Sequence, residues 1–174
     1  MDTTQAAGAG AALTGERADL LASLGQSRYF LRYTVRGLTD AQARQRTTVS
    51  ELSLGGLIKH VADTERQWVS FILDGPSAME ANRDDWAGGF KMQEGETLAG
   101  LLDEYAAVAR RTDDLLATLP DLDASQPLPP APWFEPGAHW SARQVLLHVV
   151  AETAQHSGHA DIIRESLDGA KTMG

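Results

Sequence analysis

Residues 148 to 161 read HVVAETAQHSGHAD, which sets His148, Glu152, His156, His159 and Asp161 into an otherwise apolar helical repeat. Imidazole and carboxylate are ligands for divalent metals such as zinc, nickel and iron. At 100° per residue Glu152 and His156 stand about 40° apart and one turn apart, on the stripe drawn by Val145, Val149, Ile163 and Leu167. Ionisable groups in the middle of such a stripe are costly unless they are paired or hold a cation. A spacing of four lets both side chains reach one ion. Apart from the fourth-helix set and His139, the chain has one histidine, His60, lying on or near the stripe of Leu57, Ile58 and Val61. His60, Glu152 and His156 make a His2Glu set, and three protein ligands leave a tetrahedral zinc with one open position, as in catalytic rather than structural sites.

Other readings of the same residues stay open. His60, His156 and His159 form a rival set, because an HxxH pair also chelates. A glutamate and histidine four apart can simply satisfy each other, and a lone histidine on an apolar face can be a hydrogen-bonded core residue. His148 reads as peripheral, or as a support for a ligand. His159 and Asp161 are candidates to orient a ligand or relay a proton. The zinc-protease HExxH, the di-iron ExxH and the phosphate-binding GxxxxGK[ST] are all absent.

These groups need helices to carry them. Leu20, Leu21, Leu24, Phe30, Leu31 and Val35 predict a first helix from about Thr14 to a stop at Gly37. Thr39 and Asp40 offer a cap for a short turn through Arg46. A second long helix runs from about Ser53 to Leu73, and a third runs from Thr97 to the end marked by Pro120. Ser141 and Gln144 form a capping box that opens the fourth, which runs to Asp168 with Gly169 as its stop. Residues 75 to 95 look too polar for core and long for a helix connection. The PLPPAPWFEPG segment carries five prolines, so it reads as an ordered loop with Trp133 and Phe134 as anchors. Four long helices without a convincing strand predict an all-α four-helix bundle. Residues 1 to 13 form a mobile tail, and 14 to 174 form a single domain.

Trp86, Trp133 and Trp140 either line a cleft beside the metal or pin loops onto the bundle. Arg164 is expected to pair with a carboxylate such as Glu65. With 174 residues and 43% apolar content the chain can bury one core. There are no cysteines, so thiolate metal sites are excluded. The formal charge of −9, with scattered basic residues, argues against nucleic acid as a partner. No run is long enough to span a membrane, and no secretory signal opens the chain. The expected location is the cytoplasm.

At the ligand residues the chain resembles the DinB-like superfamily of four-helix proteins, which hold a metal with a histidine on helix two and an HxxxH pair on the last helix. Glu152 stands where many members carry histidine, the ExxxH variant of the mycothiol-dependent branch that includes the N-terminal domain of mycothiol-dependent maleylpyruvate isomerase. ELSLGGLIKHVADTERQW (51–68), ETAQHSGHADIIRESLDG (152–169), GLTDAQARQR (37–46) and the HWSARQVLLHVV entry to helix four are still more similar to the actinobacterial mycothiol S-transferase family. That resemblance implies a divalent metal, zinc, at His60, Glu152 and His156, with mycothiol as thiol cosubstrate and an electrophilic small molecule as its acceptor. A homodimer is compatible with it. The alternative is a non-catalytic metal-binding bundle acting in stress response or partner binding. Maleylpyruvate isomerase activity itself is disfavoured, because the sequence ends at Gly174 without that enzyme's additional domain.

Overall fold

Side-chain caps open the last three long helices where the sequence places them. The computed structural model describes residues 13–80 and 89–172. Residues 1–12 of the expected tail and Trp86 lie outside that range. The elements are α1 (Glu16–Thr34), α2 (Asp40–Arg44), α3 (Leu54–Asp74), α4 (Ser77–Glu80), α5 (Leu98–Thr118), β1 (Ser125–Pro127), β2 (His139–Ser141) and α6 (Ala142–Asp168). Ser53 accepts from the Gly56 N–H at the start of α3, and Thr97 from the Gly100 N–H at the start of α5. At α6 the Ser141 hydroxyl accepts from the Gln144 N–H while the Gln144 side chain accepts from the Ser141 N–H, each at 3.2 Å. Gly169 ends α6 with φ of 78°, a left-handed conformation that suits glycine.

The four long helices form an all-α bundle in which α1 lies mainly along α6, and α3 lies against both α5 and α6. Three details differ from expectation. Helix α1 stops at Thr34 rather than running to Gly37, because the Val35 and Arg36 N–H groups turn back to Arg32 and Tyr33. The proline-rich connection contains an antiparallel ribbon that pairs Ser125 with Ser141, Gln126 with Trp140 and Pro127 with His139. Strands of three residues are too short for alternation to show in a sequence. The Leu128 N–H then donates to the Ala138 carbonyl at 2.8 Å, closing the base of a hairpin around residues 129–137. The third difference is in 75–95, which does reach the core: Met92 is buried and Phe90 packs beside it. No described helix is long and apolar enough to cross a membrane.

Arg164 does not meet Glu65. Its Nη1 donates to the Thr34 and Arg36 carbonyls at 2.8 and 2.9 Å, and its Nε to Asp168 at 2.9 Å. It therefore satisfies carbonyls left open where α1 ends. The partner of Glu65 is Arg28, through Nε at 3.2 Å and through a second, shorter contact from Nη2. Thr112 donates to the same carboxylate at 2.5 Å, and Arg28 also reaches Asp113 at 2.7 Å.

That pair divides the core. On one side lie Leu31, Val35, Leu57, Ile58, Val61, Leu101 and Ile163; on the other lie Leu20, Leu24, Trp68, Phe71, Leu116, Val145 and Val149. Each long helix contributes a buried polar residue to the layer between them: Arg28, Glu65, Thr112 and Thr153. Glu65 has no exposed surface and Arg28 has 6%. Removing one member leaves the other charged and poorly solvated, which costs about 3 kcal/mol or more. In urea unfolding, Glu65→Ala is expected to show that loss, and the double variant Glu65→Leu with Arg28→Met to recover most of it; a single variant as stable as the parent would refute this assignment.

Candidate metal centre

Two helices carry the site, and each presents its ligands for a local reason. On α3 the first turn contains Gly55 and Gly56. A Cβ on Gly56 would sit 1.8 Å from the Phe90 carbonyl oxygen, so only glycine admits the 90s segment here. That approach lays the Phe90 ring on His60, one turn further along, with centroids 3.8 Å apart and planes 20° apart. On α6 the buried face is centred not on His156 but about 40–50° round from it, over Val149, Thr153 and Ala160. Glu152 and His156 stand at its edge, on the seam with α3, rather than in the middle of the core as the apolar stripe suggests. The side chain of His156 is 12% exposed and that of Glu152 29%. An edge position keeps the pair reachable from solvent.

His60, Glu152 and His156 converge. Each offers a ligand atom, and the three atoms lie within 4.8 Å of one another, the one such trio among the described residues. Glu152 Oε2 is 3.2 Å from His156 Nε2, and the His60 and His156 rings meet edge to face at 4.8 Å. His148 Nε2 lies 3.9 Å from the other Glu152 oxygen, held edge-on to Trp68 at 4.8 Å. His159 turns its Nδ1 to within 3.4 Å of His156 Nδ1. Asp161 stays apart, because its carboxylate accepts from the Thr172 N–H at 2.7 Å and from the Thr172 hydroxyl.

Burial, and then the charge of His156, pushes the His60 imidazole down to about 4, with Glu152 opposing. The Glu152 carboxyl is held below its ordinary value, first by the hydrogen bond from His156 and against the effect of burial. His148 is also lowered, by burial. The result is a carboxylate facing three imidazoles, and among the described residues no lysine or arginine pairs with Glu152. Besides its ring contacts, His60 has a long 3.5 Å contact with the Thr64 hydroxyl. This donor set fits a divalent metal: two imidazoles and a carboxylate on two helices, with no competing basic side chain among the described residues.

Residues 19–169 match the sequence profile of the family described as Mycothiol-S-transferase. The chain belongs to that family. The mycothiol-S-transferase assignment covers all four long helices except the first turn of α1, and it includes every residue of the trio. No curated protein matches the chain. A crystal structure described as the conserved protein of locus from Enterococcus faecalis is similar in fold, with a TM-score of 0.69 over 91% of this chain and 100% of that one, at 16% identity.

Two neighbours of the site escape a reading of the sequence. Phe90 lies in a polar segment, and the only trace of its approach is the adjacent glycine pair at the start of α3. Trp68 reads simply as core. Gly56→Ala is expected to push Phe90 off His60, costing about 1–3 kcal/mol of stability and moving the His60 ring proton downfield in NMR spectra as the stacked ring departs; an unmoved resonance would contradict the assigned role of Gly56.

The lowered His60 also predicts acid behaviour of the metal-free protein. The unfolded chain takes a proton on this ring near its ordinary value of 6.5, whereas the folded chain resists until about 4. Stability from this group is therefore undiminished above 6.5 and is lost as pH falls from there towards 4. Thermal melts across that window should show His60→Gln losing less stability than the parent, and equal losses would rule the linkage out.

Proposed function

We propose that the protein is a cytoplasmic, zinc-dependent thiol S-transferase that uses mycothiol, with His60, Glu152 and His156 as the metal ligands. The observation that carries this reading is the approach of those three donors across the α3–α6 seam in a chain of the mycothiol-S-transferase family. Two imidazoles and a carboxylate without thiolate suit zinc, and nickel and iron suit the same donors. Zinc held there would stabilise a thiolate at neutral pH by lowering the sulfur's pKa.

The chain's own groups prepare that chemistry. His60, lowered by burial, keeps its lone pair free of a proton across the neutral range. Glu152 would offset the charge of a bound cation. His148, held against Trp68, lies 3.9 Å from the outer Glu152 oxygen, and His159 lies beside His156, positions from which each would help to orient a ligand. In the transfer the thiol gives up its proton to water, the sulfur electron pair forms the bond to the electrophilic carbon, and the leaving group departs with its own pair.

The reading is tested by assaying metal content after purification without added metal, and then mycothiol conjugation with and without a chelator. Glu152→Gln is expected to weaken zinc binding about 10- to 100-fold and to lower kcat/KM in step, with circular dichroism unchanged. Zinc-free protein that gives no thiol-dependent product when zinc is supplied would overturn it. A large fall in Tm on chelation without any thiol affinity would instead identify a non-catalytic metal-binding bundle.

A further inference from the structure

The outer side of the site continues into aromatic rings that metal binding does not require. From Glu152 the series runs to His148, then to Trp140 at 5.1 Å between ring centroids, then to Phe134 at 5.6 Å and Trp133 at 6.1 Å. Its inner members are held in place: Trp140 stacks on Trp68 at 4.9 Å with planes 20° apart, and Trp68 is buried. Its outer member is not. Trp133 is 75% exposed, the only tryptophan among the described residues left so open to water. A loop anchor would cover its indole, as Trp140 partly does against Trp68, so pinning the hairpin does not account for Trp133.

The surroundings say what such a ring would hold. The hairpin tip has the sequence LPPAPWFEPGA from Leu128 to Ala138, and its four prolines fix the backbone, so little freedom is lost when a ligand settles on it. Glu135 is its only side chain that can hydrogen-bond, apart from the Trp133 indole itself. A sugar would need donors and acceptors beside the ring, and an anion would meet Glu135, Glu152 and a chain of formal charge −9. A flat, uncharged aromatic compound needs neither, and it gains from offset or edge-to-face contact with rings of this kind.

We propose that Trp133, Phe134 and Trp140 form the platform for the electrophile, that this electrophile is an uncharged planar aromatic compound, and that Trp133 determines selectivity for it. The proposal rests on the thiol-transferase reading for the identity of the ligand as acceptor, though not for its chemical class. With 1-chloro-2,4-dinitrobenzene the sulfur would bond to the chlorine-bearing carbon as the carbon–chlorine bond breaks, chloride leaving with the pair and the thiol proton passing to water.

Two measurements test it. Equilibrium dialysis of the purified protein against 1,3-dinitrobenzene, which has no leaving group, should show saturable binding that Trp133→Ala weakens about tenfold and Trp133→Phe largely preserves. In zinc-loaded protein with mycothiol, the ratio of kcat/KM for 1-chloro-2,4-dinitrobenzene to that for iodoacetamide should fall about tenfold in Trp133→Ala and return in Trp133→Phe. Binding that depends on Trp133 without any thiol transfer would support the platform while overturning the thiol reading. Transfer with an unaltered ratio, or dinitrobenzene binding indifferent to Trp133, would overturn the platform and leave the thiol reading standing.

Discussion

A buried ion pair sets the height at which the helices meet. Arg28 on α1 and Glu65 on α3 are fixed to each other, Thr112 on α5 donates to the same carboxylate, and apolar packing above and below keeps all three dry. Sliding any one of these helices by a turn would strand a charge in the core. His60 stands little more than one turn from Glu65 on α3, so its height is set with that of the pair. The last helix has only Thr153 in this layer and is tied at its ends instead. Arg164 holds the carbonyls where α1 finishes, and Arg143 reaches Glu16 and Asp123 near its other end. The candidate ligands on α3 and on α6 are thus held in register by different means.

The electrostatics of the seam follow from this placement. One carboxylate at the edge of the buried face meets three imidazole rings, two of which, His60 and His148, are pushed down by burial, and among the described residues no arginine or lysine pairs with it. The cations of this part of the molecule are committed elsewhere: Arg28 and Arg164 to the core and the helix ends, and Lys59 to Glu96 at 2.7 Å. A bundle that places its basic groups away from a half-buried glutamate favours an external cation over an internal one.

Much of this was legible in the residues. Ser141 with Gln144, Thr97, Ser53 and Gly169 mark helix ends because capping is local chemistry, and Glu152 with His156 was legible as a pair because spacing on one helix fixes relative direction, whereas His60 on another helix is reached by elimination and resemblance. What the sequence misled about depends on partners distant in the chain. Thr153, Ser157 and Ala160 are buried on α6, yet their small or polar side chains do not register as a core face, so the apolar stripe pointed to Glu152 and His156 as central. Arg164 looked like a partner for an acid because its true partners are backbone carbonyls, which carry no sequence signature. Phe90 and Met92 were hidden among polar neighbours, and their approach to the core depends on two glycines more than thirty residues away.

The paired ribbon has a consequence for how this protein can vary. Its few cross-strand bonds close the hairpin at the foot of α6, and Ser141 serves both the ribbon and the helix cap. Beyond Leu128 and Ala138 the tip turns back to the bundle through Phe134, which packs on Trp140 and the core behind it, while Trp133, Glu135 and Pro136 stay exposed. Those exposed positions can be exchanged with little penalty to folding, which makes them the natural place for relatives with this framework to diverge in what they accept.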